Sequence, residues 1–66
     1  MNREKIVRDL NSEMEVLIRL HRHGLYNTAG YRDRKHRIKD FVLKNGIDIR
    51  RELDPVSLVL YRRYID

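Results

Sequence analysis

Sixty-six residues, 41% hydrophobic and 38% charged, make one domain at most, and one too apolar for a disordered tail. There is no cysteine, which excludes a disulfide framework and a thiol nucleophile. The net charge of +5 favours anionic partners without specifying one, and no uninterrupted apolar run approaches the ~20 residues that span a bilayer. The opening Met1-Asn2-Arg3-Glu4-Lys5 leads into a charged helix rather than an apolar signal core, so a soluble, cytoplasmic protein is expected.

The first predicted element runs from about Asn2 to His23. Ile6, Val7, Leu10, Met14, Leu17 and Ile18 recur at steps of three and four, which places them on one stripe of an α-helix. Asn2 is positioned to cap the first turn and Gly24 to supply a left-handed residue after the last. Asn11-Ser12 is a weak spot, but Leu10 and Met14 keep the stripe in phase across it, so the helix should be continuous. Glu4→Arg8 and Glu15→Arg19 stand at the i,i+4 spacing of helix-surface ion pairs. Val16 and Leu20 point away from the centre of the stripe; they either widen the core face or form a seam for a second chain.

A connection over 25–29 should lead into a second helix from about Thr28 to Lys44, its stripe made of Tyr31, Ile38, Phe41 and Val42. Asn45-Gly46 tolerates positive φ and ends it. Two helices joined by so short a loop are expected to form an antiparallel hairpin. Within the second helix Arg32, Lys35, His36 and Lys39 fall on one basic ridge. Residues 25–46 carry six Lys/Arg against two Asp/Glu, so four of the five excess charges lie here. Such a ridge can follow a phosphate backbone or an acidic protein surface, or be a solvated face with Asp33→Arg37 and Asp40→Lys44 damping its field.

Ile47 to Leu53 is short and mixed, with at most one helical turn behind Asp48. Asp54-Pro55 is the clearest local signal: a capping carboxylate followed by a proline at the first helical position. A third main helix is expected from Pro55 to about Tyr64. Val56, Leu58, Val59, Leu60, Tyr61, Tyr64 and Ile65 cover almost its whole circumference, and a helix apolar on most sides is buried on most sides. The strand-like composition of residues 56–61 is the competing reading. Tyr61 and Tyr64 flank Arg62-Arg63, a composition favoured at binding hot spots.

No catalytic or cofactor set emerges. His21 and His23 are two residues apart and diverge on a helix, which is the wrong spacing for a metal pair. The three glycines are scattered and read as helix punctuation, and Glu13 and Glu15 face different sides. The sequence therefore points to an all-α single domain over residues 1–66: a long antiparallel hairpin plus a short C-terminal helix, completed by dimerisation. The expected role is a regulatory or adaptor protein, not an enzyme and without cofactors, that binds a protein partner as a homodimer. Its interface is expected to draw on Val16, Leu20, Val59, Leu60, Tyr61, Tyr64 and Ile65. The alternative is a nucleic-acid-binding accessory protein using Arg32, Lys35, His36 and Lys39 through phosphate contacts.

Overall fold

Capping residues and glycines divide the chain where the sequence places them. The computed structural model describes residues 2–66. It contains α1 (Arg3–Arg22), α2 (Ala29–Lys44), the single turn α3 (Ile49–Glu52) and α4 (Pro55–Tyr64), with no strand among the described residues. Each helix begins on a side chain that accepts an otherwise orphaned backbone N–H. Asn2 accepts from Lys5, Thr28 from Tyr31, Asp48 from Arg50 and Asp54 from Ser57. Gly24 and Gly46, at φ 77° and 57°, end α1 and α2. In both cases the second N–H beyond the cap returns to the helix, Leu25 to the Leu20 carbonyl and Ile47 to that of Val42, each at 3.0 Å. This Schellman closure needs a left-handed residue, which glycine supplies without a Cβ penalty. α1 runs unbroken through Asn11-Ser12, although the Asn11 Oδ1 is buried there without a hydrogen-bond partner.

The central element is α1, which packs against both α2 and α4. Its stripe of Ile6, Leu10, Met14 and Leu17 meets Tyr31, Ile38 and Val42 from α2, Ile47 and Leu53 from the α3 region, and Tyr61 and Ile65 from the C-terminal end. The helix directions follow from side chains at the poles. Arg3, opening α1, reaches the carbonyls of Asn45 and Gly46 just past α2, at 2.7 and 3.3 Å. At the other pole His21 lies against Tyr31, near the start of α2, and Tyr64, at the end of α4. α2 thus runs opposite to α1, and α4 runs with it.

The expectation that α4 is buried on most sides is corrected. Its inward stripe is Leu58, Tyr61 and Ile65, at i, i+3 and i+7, and this stripe docks onto the core with Tyr64 beside it. Val56 and Val59, which point the other way, are 69% and 61% exposed. Tyr61 and Ile65, read from the sequence as partner-facing, are instead buried within the chain's own core, because α1 offers just one flank for α4 to cover.

The expected ion pairs are also corrected. Among the described residues none of the four i,i+4 pairs closes within 4.0 Å; the pairs that form are Arg3–Glu52, Arg34–Glu13 and Arg51–Asp48. Exposed i,i+4 pairs repay little for ordering two long side chains. The Arg3 fork does more, since it donates from Nε and Nη2 to the two Glu52 oxygens at 2.9 and 2.7 Å while also holding the Asn45 and Gly46 carbonyls past the end of α2. Bidentate geometry of this kind is where arginine is strongest.

The Arg3 guanidinium, joined by the Asp48 N–H, holds the Glu52 carboxyl below the usual carboxylate range. A carboxyl whose pKa is depressed by folding contributes stability above its unfolded value, lost as pH falls through the folded one. Glu52→Gln should therefore melt below wild type at pH 7, and the gap should close as pH drops below the ordinary glutamate value of about 4.3. Thermal melts across that range check this; a gap that stays constant into acid would show that Arg3 does not set the Glu52 proton affinity.

Candidate functional site

With α1 packed against α2 and α4, three surface features bear on function. The first is the outer face of α4. Val56, Val59, Leu60 and Arg63 recur at i, i+3, i+4 and i+7, one continuous stripe opposite the buried one. Leu60 is half-buried on its edge, and Arg63 is exposed at its end. The Asp54 carboxylate fixes where the helix begins, accepting the Ser57 N–H at 2.7 Å, and that bond holds the carboxyl below its ordinary range. Within residues 55–64 there is no acidic side chain.

The second feature is the basic ridge of α2. Arg32 and His36 are exposed, while Lys35 and Lys39 are half-buried. Among the described residues none of these four is engaged in an ion pair, whereas the neighbouring Arg34 is held by Glu13 of α1 at 3.0 Å. Leu43, 79% exposed, stands one turn beyond Lys39 on the same side of the helix.

The third feature escaped the sequence reading. A groove of about 340 Å³ runs along the α1–α2 seam, floored by Leu10, Ile38 and Phe41 and rimmed by Asp9, Glu13 and Arg37. Phe41 sits beside the core rather than within it, which opens the seam. Its place at the margin of the second helix's stripe was the available signal.

Val16 is half-buried on α1, and Leu20 packs against the main core. Tyr64 is half-buried with its ring edge-on to His21, centroids 5.1 Å apart. Tyr26 and Tyr31 complete the cluster around His21 at 5.0 and 6.1 Å, and the Tyr31 hydroxyl lies 3.5 Å from the His21 Nδ1. Burial pushes the Tyr31 and Tyr61 hydroxyls above their ordinary pKa, with Tyr64 adding to the first and Asp66 to the second. Among the described residues no three His, Asp or Glu side chains converge as metal ligands. No helix among them is long and apolar enough to cross a membrane.

No protein-family model, curated protein or solved structure matches this chain.

Proposed function

We propose that this protein is a small, non-enzymatic helical adaptor or regulator that acts in the cytoplasm by binding another protein, as a homodimer, through the outer face of α4. The observation that carries this reading is the pair of solvent-facing valines. Val56 and Val59 stand exposed on adjacent positions of one stripe even though the same helix fills the core with Tyr61 and Ile65. Single exposed apolar residues are ordinary, but an aligned pair beside a half-buried leucine is the kind of patch that marks interaction sites.

A photo-crosslinking side chain at Val59, with one at the exposed Glu15 of α1 as control, tests the reading in the native host. Adducts to discrete proteins from position 59 alone are expected. Equal labelling from both positions, or none from 59, would sink it.

The unpaired ridge of Arg32, Lys35, His36 and Lys39 supports a second reading, an accessory protein that grips nucleic-acid phosphates with little sequence preference. Anisotropy titration with generic DNA and RNA at two salt concentrations addresses it. Micromolar binding that weakens steeply with salt and with Lys35→Glu is expected on this reading, and absence of binding at low salt rules it out.

A further inference from the structure

We propose that the tyrosine pole is a binding site for single-stranded nucleic acid, with the Tyr26 ring stacking on a base and the arginines around it holding the flanking phosphates. The inference rests on the nucleic-acid reading above and moves the centre of the site from the α2 ridge to the end of the molecule.

Folding redistributes the charge. The rings of His21, Tyr26, Tyr31 and Tyr64 bring the end of α1, the start of α2 and the end of α4 together. Residues within four positions of these rings, 17–35 and 60–66, carry seven Lys/Arg against two Asp/Glu, whereas the rest of the chain carries eight of each. The whole excess of +5 thus gathers at one end of a molecule 34 Å long. Arg34 is tied to Glu13, but Arg19, Arg22, Arg32, Arg62 and Arg63 are exposed and, among the described residues, in no ion pair. The two opposing carboxylates, Asp33 and Asp66, are exposed as well. Two helices end here and one begins, so the backbone dipoles contribute about −0.5 of a charge, far below the side-chain excess.

Charge alone suits any polyanion; the ring in its midst selects among them. Tyr26 is 49% exposed although its ring lies against His21, centroids 5.0 Å apart. The turn that carries it is fixed, since the Thr28 N–H and hydroxyl both donate to the Leu25 carbonyl, at 3.3 and 2.8 Å. An aromatic face held in place before binding costs little to order. A base can stack on it only when free of its own helix, which single strands offer and duplexes do not. An anionic bilayer is the other polyanion such a tip can meet. The large apolar side chains exposed there are Leu25 and Tyr26 alone, each less than half exposed, too little to bury a face at the acyl boundary.

Anisotropy of end-labelled oligo-U and oligo-dT of about 12 nucleotides, and of a duplex of the same length, titrated with the full chain reads this out. The single strands should bind in the micromolar range at about 50 mM salt, and more tightly than the duplex. About three phosphate contacts give a log–log salt slope near −2, roughly a twentyfold loss between about 50 and 200 mM. Tyr26→Ala should weaken binding by about fivefold or more, whereas Tyr26→Phe, which keeps the ring, should not. Arg22→Gln, at the pole but off the α2 ridge, should weaken binding and flatten the slope by about 0.7. Lys39→Gln, on the ridge but away from the pole, should do neither. Far-ultraviolet circular dichroism checks that each variant is folded.

Duplex binding as tight as single-strand binding, with Tyr26→Ala silent and Lys39→Gln the damaging variant, overturns the pole site and leaves the phosphate-gripping ridge intact. No binding of any oligonucleotide at about 50 mM salt overturns both. A chain that ignores the oligonucleotides but pellets with phosphatidylserine vesicles, and loses this with Tyr26→Ala, overturns the proposal in favour of a membrane surface.

Discussion

Leu10→Ala is expected to remove a large share of the stability of the fold at 25 °C. Leu10 is fully buried, with α2 residues against it and Ile6, Met14 and Leu17 on either side along α1. Truncating such a leucine costs about 3–5 kcal/mol, from lost transfer energy and from the cavity left behind. A chain of this size has a total stability of roughly 3–10 kcal/mol. The loss is therefore a large share of what is available, and the helical signal at 222 nm should melt well below that of the wild type. Leu43→Ala is the control: 79% exposed, it should shift stability by no more than about 0.5 kcal/mol. Equal effects of the two would contradict the assignment of α1 as the centre of the core.

Ile65→Ala should be nearly as damaging, by about 2 kcal/mol or more. Ile65 has no exposed surface, and its N–H closes the last turn of α4 on the Tyr61 carbonyl at 2.9 Å. Its loss should undock α4 first, which amide hydrogen exchange would show as faster exchange over residues 58–65 than over α1. Val59→Ala, two turns away on the opposite face, should leave monomer stability within about 0.5 kcal/mol. The contrast separates the two stripes of the helix. If Val59→Ala proved the more destabilising, the inward and outward faces of α4 would have to be exchanged.

Most of the architecture was legible because it depends on local chemistry. Asn2, Thr28, Asp48 and Asp54 cap the helices, and Gly24 and Gly46 end the two long ones, because each acts on residues next to it. The stripe of α1 was legible for the same reason. What failed was the inference from composition to burial in α4. Counting apolar residues around its circumference does not reveal that α1 has room for one face only. Tyr61 and Ile65 consequently turned inward, while Val56 and Val59 remain outside. The Arg3 fork was invisible from spacing, since its partner lies 49 residues away. The i,i+4 pairs expected in its place are local patterns that the folded surface does not enforce. Of the candidate site, the basic ridge was readable as a helical repeat, whereas the α1–α2 groove needed the packing of Phe41 to become visible.

The rings gathered around His21 make the molecule its own reporter. With no tryptophan, its near-ultraviolet dichroism and intrinsic emission come chiefly from four tyrosines; Tyr26, Tyr31 and Tyr64 ring His21, and Tyr61 lies one turn before Tyr64. Loosening of that pole would erase the aromatic signal while the peptide bands persisted, so partial melting from this end can be told from global unfolding in an unlabelled sample.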